Sequence, residues 1–303
     1  MILGLKIDVC TYEGLRVGVP NLLRLLRSHG VSASFFVALG PDTTGRAVFR
    51  ALRPGFLAKM WRTRAVRTYG LRTILSGTIL PPRHMGRGLA PLLRDIIAAG
   101  HELAIHGYDH RHWQDRLHRM DAGQVRGEIR QAMGVYHEVA GAAPRGFGAP
   151  GWQVTPASLR VVDEAGFAYA SDTRGTQPFF PRAAGGVFRT LQLPTTFPTL
   201  DEVLGLEGMD ANDFVALVRR EAKGKLGRVL TLHAEMEGGG FQEMAGRLLA
   251  GLLEDGVICV PLEVLAEQVR GGGEGSIPAC EVVLRPIRGR AGTVAMPAGL
   301  AVN

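Results

Sequence analysis

The chain has 303 residues and a formal net charge of +7, with 46% hydrophobic and 21% charged residues, which excludes a disordered or fibrous protein. No uninterrupted apolar run reaches the roughly 18 residues of a membrane-spanning helix, and the N-terminal sequence MILGLKIDVC lacks a basic secretory leader. We therefore expect a cytoplasmic protein. Its three cysteines are odd in number and far apart, so the sequence does not predict a disulfide framework.

Short apolar segments alternate with helical patterns along the chain. Residues 3–9 predict a buried strand, residues 19–30 a helix that ends at Gly30, and residues 31–39 a second strand. The same alternation continues, with helices predicted at 90–100, 122–141, 155–166, 210–225 and 241–256, and strands at 101–106, 167–172, 228–235 and 257–262. This order predicts one α/β domain over residues 1–303, with a parallel sheet that is closed or nearly closed into a barrel.

A basic segment follows the second predicted strand. Residues 43–94 contain no Asp or Glu, whereas Arg and Lys recur there and are interleaved with aromatic residues. This pattern indicates an insertion that faces an anionic membrane surface, and its candidate contacts are Arg50, Arg53, Lys59, Trp61, Arg62 and Arg64. Two alternatives stay open: a surface for nucleic acid, and a solvated helical face that packs on the domain through its apolar side.

The C-terminal tail, residues 271–303, begins with a glycine-rich hinge. The remainder of the tail is apolar enough that we expect it to pack against the domain.

Residues that can carry chemistry recur at one place in the predicted fold. Asp8, His106, Asp172 and His233 each stand at or just beyond the carboxyl end of a predicted strand, and His110 follows His106 by one helical turn. In parallel α/β folds the loops at that edge of the sheet converge over one pocket. Each residue alone is more often a cap or a structural group, but their recurrence at one edge favours a shared site. Neutral imidazole is the commonest metal ligand, so the HGYDH sequence indicates a metal site.

The order Asp8, HGYDH, FGAPGW, YASDTRG and LTLHAE resembles the five motifs of the NodB-type polysaccharide deacetylase family. Within that family, the segments GLKIDVCTYEG, GPDTTGR, HGYDHRHWQ and LPTTFPTLDEV are similar to deformylases of undecaprenyl-phosphate-linked 4-deoxy-4-formamido-L-arabinose. The resemblance implies a distorted (β/α) barrel and metal-dependent hydrolysis of an N-acyl amino sugar in lipid A modification and polymyxin resistance. It also implies a peripheral protein at the cytoplasmic face of the bacterial inner membrane.

The resemblance implies a role for each motif residue. His106 and His110 correspond to metal ligands, Asp8 to the base that takes a proton from water, and His233 to the acid that protonates the leaving amine. Asp172 corresponds to the carboxylate that orients the catalytic histidine. For substrate binding we expect Arg174, which could instead pair with an acid, together with the pocket-wall residues Trp152 and Pro150.

Two positions depart from the family pattern. Gly148 stands where an Arg that contacts the base is common, and Cys10 stands where this subgroup has a carboxylate ligand. We expect Cys10 to be the third metal ligand, with Asp8 or Asp109 as alternatives if Cys10 is only a buried thiol. The divalent metal is zinc, manganese or cobalt, among which the sequence does not distinguish.

Three other functions remain open on the sequence alone. The chain could deacetylate another N-acyl amino sugar, or it could bind the lipid-linked sugar without catalysis because Cys10 replaces a carboxylate. A nucleic-acid-binding protein would use the arginines on phosphates. However, no known nucleic-acid-binding module is visible, so we expect no nucleic acid partner.

Overall fold

The computed structural model describes residues 1–45, 80–183, 186–223 and 227–299. Its main sheet has eight parallel strands: β1 (Ile2–Val9), β2 (Ser34–Val37), β3 (Glu102–Ile105), β4 (Gly146–Phe147), β5 (Tyr169–Ala170), β8 (Leu191–Gln192), β9 (Val229–His233) and β10 (Ile258–Val260). Their order in the sheet is β10-β1-β2-β3-β4-β5-β8, with β9 also paired to β1.

Helices connect these strands and cover the sheet. Apolar residues one helical turn apart form the buried stripe of each longer helix, for example Leu22 and Leu26 in the first. The helices described are Val19–His29, Met85–Gly88, Ala90–Ala98, His110–Arg116, Ala122–Ala140, Pro156–Glu164, Leu200–Val203, Ala211–Ala222, Gln242–Glu254 and Leu262–Gly271. Two π-helical turns, Gly14–Gly18 and Met236–Gly240, follow β1 and β9.

The sheet curls until its two edges approach each other. Just after β8, the amide of Thr196 donates a hydrogen bond of 2.9 Å to the carbonyl of Val229 in β9. The hydroxyls of Thr195 and Thr231 lie 2.8 Å apart across the same junction. These contacts nearly close the ring of strands, and the predicted distorted (β/α) barrel is confirmed.

The described part of the predicted basic insertion is built into the barrel. Helices Met85–Gly88 and Ala90–Ala98 form part of the crossover from β2 to β3, and they bury Met85, Leu93 and Ile96. The structure therefore assigns the end of the 43–94 segment to the α/β pattern. All six residues that we expect to contact the membrane, Arg50, Arg53, Lys59, Trp61, Arg62 and Arg64, lie outside the described residues.

The C-terminal tail forms half of a second, smaller sheet, whose strands the sequence patterns did not predict. This sheet has the order β12-β11-β6-β7, in which β6 is Phe180–Ala183, β7 Gly186–Val187, β11 Ala279–Pro286 and β12 Thr293–Pro297. Val294, Ala295 and Met296 of β12 are buried, and the carbonyl of Ala295 accepts a 2.8 Å hydrogen bond from the amide of Arg174. The tail therefore packs on the domain, as its composition indicates.

A buried ion pair ties the loop after β5 to the loop after β8. The guanidinium of Arg174 donates to both carboxylate oxygens of Glu202, at 2.7 and 2.8 Å, and to the carbonyls of Phe197 and Thr195 at 2.8 and 3.3 Å. These bonds occupy the guanidinium, and its side chain is only 7% exposed. Arg174 therefore pairs with an acid, which is the alternative that the sequence left open.

We predict that Glu202→Ala destabilises the protein strongly, because it leaves the Arg174 guanidinium buried without its carboxylate. Removing one member of a buried pair costs about 3–5 kcal/mol of unfolding free energy. Urea denaturation followed by circular dichroism measures the change. The matched control is Glu164→Ala, which breaks the exposed pair with Arg126 and should leave the unfolding midpoint nearly unchanged. Similar midpoints for the two variants would contradict this role of the pair.

Candidate active site

The register between β1 and β9 brings two predicted catalytic residues together. Asp8 and His233 are direct partners in this register, and side chains of paired residues project from the same face of a sheet. Asp8 is also the register partner of Phe36 in β2. On the far side of β2, the amide of His106 continues the ladder beyond β3 by donating a 2.9 Å hydrogen bond to Val37. Four neighbouring strands, β9, β1, β2 and β3, thus end at one site.

Three possible ligands for a metal ion converge beside Asp8. The Cys10 sulfur and one ring nitrogen each of His106 and His110 all lie within 4.8 Å of one another. Nδ1 of His106 lies 2.8 Å from the carbonyl of Gly148, which directs Nε2 toward the site and favours the tautomer with the proton on Nδ1. Burial lowers the pKa of His106 to about 4, so the ring is neutral at physiological pH. A neutral, oriented imidazole is the form that binds a metal.

Local sequence explains how the HGYDH segment holds its two histidines in place. Gly107 has a φ of +75°, a left-handed conformation that favours glycine, and an added Cβ would lie 2.9 Å from Cγ of Pro150. Asp109 caps the helix that begins at His110: its Oδ1 accepts hydrogen bonds from the amides of Arg111 and His112 at 3.0 and 2.9 Å. The same oxygen accepts from the Thr43 hydroxyl at 2.8 Å. Asp109 is therefore a cap residue, which weakens the alternative that it completes a metal shell.

The surroundings of Cys10 fit a cation. Burial raises the pKa of the Cys10 thiol well above its usual value, and the negative charges of Glu235 and Asp8 raise it further. A thiolate at this position therefore needs a positive charge close by. Sulfur and imidazole nitrogen together are a typical donor set for zinc, and a thiolate beside two histidines offers a divalent metal one negative charge. The three residues fit the metal that the sequence predicts.

Lys6 is a functional candidate that the sequence analysis missed. Its side chain is fully buried in β1, and Nζ lies 3.2 Å from Oδ1 of Asp8 and 3.3 Å from the carbonyl of Ser171. Burial is the largest single influence and raises the pKa of Asp8, but the charge and hydrogen bond of Lys6, together with the two neighbouring histidines, lower it, and the net pKa is lowered. Lys6 thus supplies the cation that is absent at Gly148. The signal was a lysine inside an otherwise apolar strand, two residues before Asp8 and on the same face.

The carboxylate next to His233 belongs to Asp201 rather than to Asp172. Oδ1 of Asp201 lies 4.0 Å from Nδ1 of His233 and accepts a 2.6 Å hydrogen bond from the Thr199 hydroxyl. On the other side, the ring of Trp152 meets the His233 ring edge-on, with centroids 6.4 Å apart. The expectation that Asp172 orients His233 is therefore not supported by the geometry.

Asp172 instead holds the FGAPGW loop. Its two carboxylate oxygens accept hydrogen bonds from the Ala149 amide at 2.8 Å and from the Gln192 side chain at 3.0 Å. Burial raises the pKa of Asp172 to about 6 in spite of these bonds. Because Ala149 follows the carbonyl that orients His106, Asp172 acts on the site through the backbone of this loop.

Trp152 and Pro150 belong to the FGAPGW loop, and we expect both to form part of the pocket wall. Trp152 is 3% exposed, adopts a φ of +53° that is uncommon for a non-glycine residue, and donates from Nε1 to the Thr195 hydroxyl at 3.1 Å. Pro150 is buried beneath Gly107. Backbone strain of this kind persists where the surroundings fix it, often at functional sites.

Two further buried carboxylates after β9 were also missed. Oε1 of Glu235 accepts hydrogen bonds from the amides of Cys10 and Thr11 at 2.9 and 2.8 Å, so it fixes the turn that carries the sulfur. Oε2 of Glu237 accepts from the amide of His233 at 2.8 Å, and burial raises the pKa of Glu237 to about 7. Both residues position the backbone of neighbouring site residues. The acidic pattern HAEMEG was a signal for them, but the residues they bond could not be predicted.

The arginines at the described end of the basic segment have partners within the domain. Arg83 stacks on the ring of Tyr12 at 3.7 Å and pairs with Glu13, and Arg87 pairs with Glu138. In the part of the chain that the structure describes, no helix combines the length and apolar character needed to cross a membrane.

Comparison with known proteins places this geometry in a family context. Residues 4–170 match the family model described as polysaccharide deacetylase. A protein from Shewanella sediminis (strain HAW-EB3), named probable 4-deoxy-4-formamido-L-arabinose-phosphoundecaprenol deformylase ArnD, is 35% identical over 259 residues, covering 86% of this chain and 84% of that protein. A protein of the same name from Wigglesworthia glossinidia brevipalpis is 28% identical and covers 93% and 97% of the two chains.

Structural comparison agrees on the fold. The crystal structure of a Mycobacterium smegmatis protein described as a polysaccharide deacetylase has a TM-score of 0.61, with 22% identity and coverage of 94% of both chains. At that level of identity the similarity shows the fold alone.

We predict that Cys10→Ala weakens zinc binding at least tenfold, because the site loses its anionic donor. Isothermal titration calorimetry of the metal-free protein with zinc measures this without reference to activity. Cys10→Asp should restore binding and extend it toward manganese and cobalt, since a carboxylate is a harder ligand. The control is Cys259→Ala, a buried cysteine in β10, which should bind zinc like the unmodified protein. Unchanged affinity in Cys10→Ala would move the third ligand to Asp8.

Proposed function

The chain belongs to the polysaccharide deacetylase family, and we propose that it is a metal-dependent deformylase of undecaprenyl-phosphate-linked 4-deoxy-4-formamido-L-arabinose. The observation that carries the proposal is the convergence of the Cys10, His106 and His110 donors close to Asp8, whose register partner is His233. The named ArnD relatives support the choice of substrate, because the chain matches them over most of its length. Removal of the formyl group would expose the amino group that lipid A modification and polymyxin resistance require.

A divalent metal held by Cys10, His106 and His110 supplies positive charge that polarises the formamide carbonyl and activates water for attack. The protein keeps the His106 imidazole neutral through burial and orients it through the contact with Gly148. Zinc, manganese and cobalt all remain candidates, although the sulfur donor favours zinc.

Asp8 has the properties of the proton acceptor. The ion pair with Lys6 holds its carboxylate ionised inside an apolar barrel, and its Oδ2 lies 4.0 Å from Nε2 of His106. It can therefore take a proton from a water molecule that enters beside His106. Lys6 also anchors Asp8 to the backbone of Ser171, so the carboxylate keeps one orientation.

His233 is the register partner of Asp8 and has the properties of the proton donor. Amide hydrolysis needs such a group, because the nitrogen is a very poor leaving group unless it is protonated. The Asp201 carboxylate lies 4.0 Å from Nδ1 and faces that side of the ring, which leaves Nε2 to donate. Trp152 packs against the same ring and restricts its rotation. Asp8 can thus accept a proton while the neighbouring His233 donates one.

Formyl and acetyl groups differ by one methyl group. Such a difference is worth about 1–3 kcal/mol in a closed pocket. The direct test is to incubate the metal-loaded protein with the N-formyl polyprenyl phosphosugar and with its N-acetyl counterpart. We expect formate release to be faster than acetate release and to stop with a chelator. Faster acetate release would favour a deacetylase, and no release of either acid would favour a catalytically impaired lipid-sugar-binding relative.

We predict that Asp8→Asn and His233→Ala each lower kcat for formate release by about 10²–10⁴-fold, the usual contribution of a general acid or base. Both should bind zinc, because the proposed metal ligands are unchanged, and circular dichroism checks that Asp8→Asn, which leaves Lys6 without its carboxylate, is folded. Initial rates with the metal-loaded variants measure the effect. His112→Ala is the control, since this histidine of the same segment pairs with Glu128 at 46% exposure and should retain full activity. Near-normal rates in either catalytic variant would contradict its role.

We further propose that the protein works peripherally at the cytoplasmic face of the inner membrane, because a polyprenyl tail stays in the bilayer. The basic residues of segment 43–94 are the proposed contact, since each Lys or Arg near an anionic surface contributes about 1 kcal/mol. We propose no nucleic acid partner.

We predict that replacing Arg50, Arg53, Arg62 and Arg64 by Glu releases the protein from vesicles containing phosphatidylglycerol. The same variant should hydrolyse a soluble short-chain analogue at the normal rate. Vesicle sedimentation measures binding, and binding of the unmodified protein should weaken as salt is raised. Unchanged sedimentation of the variant would assign membrane contact to another surface.

A further inference from the structure

A turn of the C-terminal tail reaches the edge of the active site. Residues 287–292 connect β11 to β12, and Gly289 packs so closely on Glu202 that an added Cβ would lie 1.8 Å from its carbonyl oxygen. Ile287 packs against the small cluster of Trp152, Val294 and Met296. This turn is therefore fixed against the Trp152 side of the pocket, and it brings one charged side chain there.

That side chain is Arg290, whose guanidinium carbon lies 4.6 Å from the centroid of the Trp152 ring. Its polar contacts are a 3.3 Å hydrogen bond from Nη2 to the carbonyl of Gly151 and an approach of 3.6 Å between Nη1 and Oε1 of Glu202. The side chain is 12% exposed, so it remains accessible from solvent. A guanidinium has five N–H donors, and these contacts use only part of that capacity.

The charge of Arg290 is not cancelled by its neighbours. Glu202 is the acidic partner within ion-pair distance, and Arg174 already binds both of its carboxylate oxygens. The group of Arg174, Glu202 and Arg290 thus carries one excess positive charge next to Trp152. The catalytic His233 lies against the same indole ring. An anion at Arg290 and the proton donor His233 would therefore both lie next to the Trp152 side chain.

We infer that Arg290 binds the phosphate of the lipid-linked sugar. This inference rests on the proposed function, in which the reacting formamide is on C4 of the pyranose and the phosphodiester is on C1, the opposite carbon of the ring. With C4 at His233 and the metal ligands, the ring can lie along Trp152 and direct its phosphodiester toward Arg290. Arginine is well suited to this role because its planar donors match phosphate oxygens.

The test compares two soluble substrates that differ in the phosphodiester. One is the formamido sugar joined to a short prenyl chain through phosphate, and the other is its neutral methyl glycoside. We expect Arg290→Gln to raise KM about 10- to 100-fold for the phosphodiester, the usual effect of losing a charge-assisted hydrogen bond, with kcat nearly unchanged. Its kcat/KM for the methyl glycoside should stay within about twofold of the normal value, because the missing charge has no partner there.

Two variants complete the experiment. Arg288→Gln is the matched control, because Arg288 lies in the same turn but pairs with Glu207 at the surface, and it should change neither substrate. Arg290→Lys keeps the charge and should recover part of the phosphodiester affinity, which also keeps the test valid if Arg290→Gln folds poorly.

The possible outcomes separate the inference from the proposed function. Equal losses on both substrates in Arg290→Gln and Arg290→Lys would show a structural role and overturn the inference, as would unchanged KM for the phosphodiester. If the unmodified protein releases formate from neither substrate, the proposed function itself fails.

Discussion

The hydrogen-bond register of β1 is the constraint on which the site depends. This strand pairs with β2, β9 and β10, so it lies at the junction where the curled sheet approaches closure. Its register with β9 sets Asp8 beside His233, and the chain beyond its end carries Cys10 toward His106 and His110. A shift of one residue would turn Asp8 to the opposite face of the sheet. One set of backbone hydrogen bonds thus fixes the positions of Asp8, His233 and Cys10, the proposed proton acceptor, proton donor and metal ligand.

The same strand carries an unusual amount of buried charge. Lys6 and Asp8 are almost completely inaccessible to solvent, and an isolated charge at such a position would be strongly destabilising. Their ion pair, the contact with Ser171 and the face of the Phe36 ring at 4.8 Å from Nζ together offset that cost. Around them Glu235 and Glu237 add negative potential. A divalent cation at the cluster would balance this charge, which links metal binding to the stability of the site.

The sequence predicted the parts of the site that depend on strand ends. Apolar runs predicted β1, β3 and β9. Because parallel strands end at one edge of the sheet, the sequence also predicted that Asp8, His106 and His233 lie close together. The helix that ends at Gly30 was equally predictable, because Gly30 adopts a left-handed φ of +63° there. These features follow from local patterns and from the general topology of α/β folds.

Features that depend on long-range pairing could not be predicted in this way. The approach of Asp201 to His233 depends on the path of the chain after β8, and no local sequence pattern indicates that path. The pairing of Arg174 with Glu202 and the position of Arg290 arise from loops and a tail that meet only in the folded protein. In the second sheet, β6 and β7 have too few residues to show a period, and the eight residues of β11, ACEVVLRP, do not alternate between apolar and polar. The sequence shows Lys6 as a charged residue inside an apolar strand. Its partner could not be predicted, because that depends on which face of β1 is buried.

The most direct test of this account is the absorption spectrum of the cobalt(II)-substituted protein. If Cys10 is a sulfur ligand, the spectrum should contain a near-ultraviolet thiolate-to-cobalt charge-transfer band. Cys10→Ser should remove that band, while the visible bands of the bound cobalt remain. The same near-ultraviolet absorption in both proteins would contradict sulfur ligation. The metal shell would then have to be rebuilt around His106, His110 and the carboxylate of Asp8.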